Sequence, residues 1–319
     1  MNKSFTLIEI LVIIVVIGIL SAFILVGMSS ITSSANIAKG QTFSNSLRNS
    51  LLINLVSEWK FDGTTTAGSP ATANDLKDSW GTNTSILCTA GGIFPHPVPT
   101  VRSGSSCISG SCLEYDNIDD QYYINNPNLR YTGGGLTLEA WIKIRSTSTG
   151  EVSFIMSKPW NGSGYYNYYF RWNSDSVFLY LGGETGQNKG VTAANIFKDK
   201  WYHVVATVNS SKVIKIYVNG VVAVTDSHTI TTWVPTAGGG DASRPFSIGH
   251  GYNCDQSVPT WIFDGFMDEA KLYNEAVPTS KIQENYYFGL GEGLFNKAIT
   301  LEEFNQRIVE LKTNLVKNE

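Results

Sequence analysis

Catalytic signatures are missing from this sequence. No Gly-x-Ser-x-Gly elbow occurs, and no Gly-rich loop stands between a strand pattern and a helix pattern, where it would hold a phosphate. Charge is scarce too: 23 Lys and Arg against 27 Asp and Glu give a net charge of −4. Such a balance provides no basic footprint, so no nucleic-acid partner is expected. The four histidines are scattered and the four cysteines include no Cys-x-x-Cys, which argues against a zinc site. Glycine, at 30 residues, and aromatics, at 12%, are plentiful and suit a turn-rich, strand-rich extracellular domain.

All four cysteines, Cys88, Cys107, Cys112 and Cys254, lie after the apolar stretch that ends at Met28. An even count there suggests an oxidising compartment and up to two disulfides. The preferred pairing joins Cys107 to Cys112 across Ile108-Ser109-Gly110-Ser111 and leaves Cys88 with Cys254; free buried thiols are the alternative.

One long apolar run does occur. From Phe5 to Met28, about 24 residues, the only ionisable group is Glu9, and that length suffices for a helix to cross a bilayer. A carboxylate one turn inside an apolar helix needs a partner of opposite charge. The run is too long for a secretory signal and continues into a polar helical pattern. The segment Phe5-Thr6-Leu7-Ile8-Glu9, after the polar start Met1-Asn2-Lys3-Ser4, resembles the N-terminus of type IV prepilins and pseudopilins. The resemblance implies cleavage by a prepilin peptidase between Ser4 and Phe5, methylation of the new amine, and pairing of Glu9 with the Phe5 amine of a neighbouring subunit. Ser4 departs from the Gly usual before the cut. A plain signal anchor is the other reading.

From Ser29 to Leu55 the spacing of Ile37, Phe43, Leu47, Leu51 and Leu55 predicts that the helix continues, so residues 5–55 form one pilin helix with its membrane part at 5–28. Thereafter short alternating runs dominate: 57–62, 111–116, 122–126, 136–144, 152–158, 168–172, 177–181, 202–208, 212–218, 221–226, 246–250 and 261–272. Such runs predict an antiparallel β-sandwich over 56–288. Asn219-Gly220 marks a two-residue hairpin. A short helix from Thr279 is expected to end at Gly289. Thr300-Leu301-Glu302-Glu303 then opens a second helix with a stripe of Phe304, Ile308, Leu311 and Leu315, and 289–319 reads as a C-terminal helical segment.

A second resemblance rests on Leu55-Val56-Ser57-Glu58-Trp59-Lys60-Phe61-Asp62, Leu113 to Asp120, Leu136 to Lys143, Trp201 to Thr207, Ile216 to Gly220 and Phe263 to Asn274. Together they are similar to laminin-G-like domains, the concanavalin-like jelly rolls. Glycosidases of that shape carry Glu-x-Asp-x-x-Glu on one strand, a pattern that Phe266-Met267-Asp268-Glu269-Ala270 does not reproduce, so no enzyme is expected. The resemblance implies a structural calcium ion, with Asp78, Asn83, Asp119, Asp120 and Asp268 as candidate ligands. Turn-capping roles for the same residues are the alternative. Trp160, Tyr165 and Tyr166 are candidates for a stacking platform for a glycan or a surface protein, against plain core packing.

The combined expectation is a mainly β protein with a long N-terminal helix: a pilin-like subunit, held in the inner membrane as a precursor and displayed on an extracellular pilus with copies of itself by the assembly machinery. A pseudopilin of a secretion or DNA-uptake machine, and a membrane-anchored carbohydrate-binding protein that never polymerises, are the alternatives.

Overall fold

The computed structural model describes residues 54–83, 85–88, 97–126, 128–145, 152–159, 166–183, 187–233, 245–251 and 261–317. Ser4, Phe5, Glu9, Trp160, Tyr165 and Cys254 lie outside them. So does the expected helix over 5–55, except at its end, where Leu55 belongs to a strand. Among the described residues no helix is long and apolar enough to cross a membrane.

In chain order the strands are β1 (Leu55–Trp59), β2 (Ser85–Leu87), β3 (Thr100–Ser103), β4 (Ser111–Asp116), β5 (Tyr122–Ile124), β6 (Leu136–Ile144), β7 (Val152–Pro159) and β8 (Tyr166–Asn173). They continue with β9 (Ser176–Leu181), β10 (Lys189–Ala194), β11 (Trp201–Val208), β12 (Val213–Val218), β13 (Val221–Ser227), β14 (Phe246–Ile248) and β15 (Asp264–Tyr273). Two helices follow, α1 (Thr279–Phe295) and α2 (Leu301–Lys317).

Among the described residues the strands form two antiparallel sheets. One runs β13-β12-β11-β6-β15-β4-β3, with β1 also on β15; the other runs β10-β9-β8-β7-β14-β5-β2. Period-two alternation decides which side chains face inward. Leu138, Ala140 and Ile142 of β6 meet Tyr168, Phe170 and Trp172 of β8 in one core. Trp59 stacks on Phe246 across the gap, ring centroids 5.6 Å apart. Each such side chain contributes about 1.5–3 kcal/mol by leaving water. The turn between β12 and β13 is Asn219-Gly220, with φ of 51° and 75°, the left-handed pair that a type I′ hairpin needs.

The other residues of β6 and β11 point away from that core and are also covered. Trp141 and Trp201 pack with Tyr286 and Leu290 of α1 and Leu311 of α2, flanked by Phe304 and Ile308. The apolar stripe of the last helix thus meets its own domain, and Thr300 Oγ1 caps that helix by accepting from Glu303 N at 3.1 Å. The expected end of α1 at Gly289 is corrected: the helix runs on through Gly289, Gly291 and Gly293 to Phe295. Packing outweighs the helix-weakening effect of these glycines, because a Cβ on Gly289 would stand 2.6 Å from the Trp141 ring.

Candidate functional site

Two parts of the sandwich carry chemistry, an acidic rim and an aromatic sheet face. At the rim, Asp116 ends β4 and the chain turns back through Asn117, whose φ is 63°. The turn gathers the carboxylates of Asp116, Asp119 and Asp120, with oxygens within 4.8 Å of one another. Ile118 N donates to Asp116 Oδ1 at 2.8 Å, and Asp116 N donates to Asp120 Oδ2 at 2.9 Å. Burial first, then the charge of Asp116 beside it, push the Asp120 carboxyl up to about 7. A groove of about 550 Å³ opens next to the turn, lined by Arg102, Glu114, Arg145 and Asp264 as well as Asp116 and Asp120. Its far wall is a fixed ion-pair chain: Arg145 reaches Glu114 and Asp264 at 2.9 Å each and donates to Tyr115 O at 2.8 Å. Three converging carboxylates are the hard oxygen donors that calcium takes, so the residues at this turn fit that ion.

The other calcium candidates stand elsewhere in the fold. Asp78 is buried, and its carboxylate accepts from Glu58 N, Trp80 N, Gly81 N and Asn83 N at 2.8–3.2 Å, fastening the loop before β2 to β1. Asn83 uses its amide on Asp78, Ser57 and Asn126. Asp268 sits at a bulge where the β15–β6 register jumps between Asp268 and Lys271 and Glu269 takes φ 49°. It accepts from Ser109 N at 2.9 Å and Glu269 N at 2.8 Å. Burial first, then Glu269 and Asp62, raise its carboxyl well above the carboxylate range. Asp119 and Asp120 are therefore brought together, with Asp116 as the third member that sequence reading missed, while Asp78 and Asp268 do not belong to that cluster.

The second feature is the outer face of the β7–β8–β9 sheet. Phe154, Arg171 and Phe178 are cross-strand neighbours on β7, β8 and β9, and Tyr169 and Tyr180 form the next pair. The Tyr169 and Tyr180 rings stack at 4.7 Å, Tyr169 lies 5.0 Å from Phe154, and Phe154 stacks on Trp261 at 5.5 Å. Tyr166, the one platform candidate among the described residues, is buried. Its hydroxyl donates to Gly251 O, and its ring meets Tyr169 edge-on at 5.0 Å. It packs beside Phe154 as well, with ring centroids 5.6 Å apart, at the end of this face. Arg171, Phe178 and Tyr180 were missed in the sequence, although the alternation of Tyr168, Phe170 and Trp172 inward implies that Tyr169 and Arg171 point out.

The Cys107–Cys112 disulfide forms as expected, with Cα atoms 5.4 Å apart. Cys88 is disulfide-bonded as well; Cys254, expected as its partner, is outside the described residues.

With this geometry in place, the comparisons assign the class. The sequence model of the Concanavalin A-like lectin/glucanases superfamily matches residues 116–283, more than half of the chain, and the chain belongs to that superfamily. This bears out the laminin-G-like, concanavalin-like jelly roll. Among solved structures, the fold is similar to the botulinum neurotoxin serotype G binding domain, at 12% identity and TM-score 0.51, over 74% of this chain and 51% of that one. The serotype D ligand binding domain in complex with N-acetylneuraminic acid gives 13% identity and TM-score 0.51 over 74% and 51%. The binding domain of Paraclostridial Mosquitocidal Protein 1 gives 12% and 0.52 over 74% and 52%. The chain thus spans about half the length of these toxin domains, and the likeness is one of fold. No curated protein matches the sequence.

Proposed function

We propose that this protein is a surface-displayed recognition subunit. Its prepilin-like N-terminus stores it in the cytoplasmic membrane and assembles it with copies of itself into an extracellular pilus, and its lectin-type sandwich binds a glycan without catalysis. The observation that carries the assembly half is Glu9, the one ionisable group between Phe5 and Met28; an amine released at Phe5 of an adjacent subunit would neutralise it. Membership of the lectin superfamily supports the recognition half, as does the complex of one fold neighbour with N-acetylneuraminic acid. Prepilin peptidase and a pilus assembly machine are the partners this reading requires. A calcium ion held by Asp116, Asp119 and Asp120 would neutralise the rim turn and brace it.

The mature N-terminus tests this. Mass spectrometry of the chain from surface-sheared filaments is expected to find methylated Phe5, and Glu9→Leu is expected to abolish incorporation. Retention of Met1 would overturn the assembly half. A processed chain found only at the machine, never as the main component of filaments, would favour a pseudopilin. A membrane-anchored carbohydrate-binding protein that does not polymerise is the second reading, supported by the binding-domain fold of the toxin neighbours; it predicts an unmethylated, unincorporated chain that still binds glycans.

A further inference from the structure

Arg171 is held by rings rather than by an acid. Its guanidinium carbon lies 5.0 Å from the Phe178 ring centroid, 5.1 Å from Tyr169 and 6.0 Å from Phe154. Cation–π attraction fixes the group in place. Rings satisfy none of its five N–H donors, however, and those donors match a carboxylate in fork geometry. Arg102, Arg145 and Arg307 each pair with a carboxylate. Among the described residues no carboxylate reaches Arg171, and its Nε is shielded from water without a hydrogen-bond partner. The residue as a whole is partly accessible to solvent, so its terminal N–H groups are the ones an acceptor from outside would meet.

The surroundings define what else that acceptor carries. Arg171, Tyr169, Phe178 and Tyr180 are all partly accessible to solvent. Beyond them on β10, Gly190 stands opposite Tyr180 and Thr192 opposite Phe178, both exposed. Gly190 leaves room for the Phe178 ring to lean over the strand, since a Cβ there would stand 2.5 Å from Phe178 Cζ. The face therefore offers a cation without an ion pair and adjacent aromatic surfaces, and, among the described residues, no carboxylate pairs with that cation. We propose that the outer face of β7–β9 binds an acidic sugar: the carboxylate takes the Arg171 fork, and the C–H face of the pyranose lies on the Tyr169–Tyr180 and Phe178 rings. The charge is read by Arg171 and the ring by the aromatics. This inference rests on the glycan-recognition half of the reading above and supplies its ligand class.

The test uses the full chain in detergent micelles on an array of uronate-containing, sialylated, sulfated and neutral oligosaccharides. Carboxylate-bearing glycans are expected to be retained selectively. Arg171→Gln is expected to weaken that binding by about tenfold or more and to erase the preference over neutral glycans. Tyr180→Ala, which leaves Arg171 in place, is expected to weaken it while keeping the acid preference. Unfolding midpoints of both variants serve as the control for folding. If the wild-type chain binds no glycan at all, the recognition reading fails and takes this site with it. If acidic glycans bind but Arg171→Gln binds them as the wild type does, or if neutral or only sulfated glycans are retained, this site alone is overturned.

Discussion

His203 Nε2 lies 3.0 Å from Glu139 Oε1 on neighbouring strands, and both side chains are sealed from water beneath α1. Asn285 of α1 adds its amide to both oxygens of Glu139, at 3.0 and 3.1 Å. Burial pushes the Glu139 carboxyl up, but the bonds from His203 and Asn285 and the charge of Lys271 outweigh it and hold the group below its ordinary value of 4.5.

A carboxylate depressed in this way contributes stability that is fully present above its unfolded-state value and is lost as pH falls through the lowered native value. Glu139→Ala is expected to cost about 1–3 kcal/mol at neutral pH, because the buried groups of His203 and Asn285 lose their partner. Glu139→Gln should cost less and should flatten the acid limb of stability below about pH 4.5. Denaturant midpoints across that range check both; an acid limb unchanged in Glu139→Gln refutes the assignment.

Asp268 has the opposite sign. Its native carboxyl is raised, so the folded state holds a proton that the unfolded state has released, and stability falls as pH rises from about 4. Asp268→Asn removes the charge but keeps a carbonyl acceptor for only one of the two donors, Ser109 N at Oδ2 or Glu269 N at Oδ1. The variant is expected to lose the fall in stability with rising pH, so that its midpoint gains on that of the wild type between about pH 4 and neutral pH. Thermal melts in matched buffers give the comparison.

Gly289→Ala separates packing from helix propensity. In an open helix the change would stabilise by up to about 1 kcal/mol. Here the new methyl meets the Trp141 ring at 2.6 Å, and overpacking of this kind costs about 1–3 kcal/mol. A lowered midpoint is expected, with the loss of Trp141 fluorescence shielding preceding global unfolding. Gly291→Ala, whose Cβ meets nothing within 4 Å, is the control and should be neutral or stabilising.

Calcium at the rim is tested by removal. Chelation is expected to lower the melting temperature of the wild type, and added calcium to restore it. Asp119→Ala and Asp116→Asn should each abolish the response. A melt indifferent to both chelator and calcium would leave Asp116 and Asp119 as turn residues only.

The strands that sequence alone predicts well are those with strong alternation and a clear turn. Leu136–Ile144 appears with both ends where periodicity places them, and Asn219-Gly220 turns as its positive φ preference requires. Lys189–Ala194 gave no such signal: Gly190, Thr192 and Ala194 alternate with only Val191 and Ala193, a pattern too weak to mark an edge strand. Thr100–Ser103 was hidden by the prolines before it. Glycine spacing misled at α1, where tertiary contact with Trp141 decides. At the rim, the laminin-G-like resemblance pointed to Asp119 and Asp120, whereas Asp116 joins them only through the left-handed turn at Asn117. At the β7–β9 face the rings were countable from the sequence, but Arg171 becomes notable only once the described residues are seen to bring rings and no acid to it.

The first strand of the sandwich lies beside its last: β1 pairs with β15 from Leu55↔Tyr273 to Trp59↔Ala270, and Asn274 N donates to Asn54 O at 3.0 Å. Chain entry and the approach to the closing helices therefore share one corner. Such an arrangement suits a portable cassette: a fold entered and left at one corner can be joined to another protein through a single attachment point.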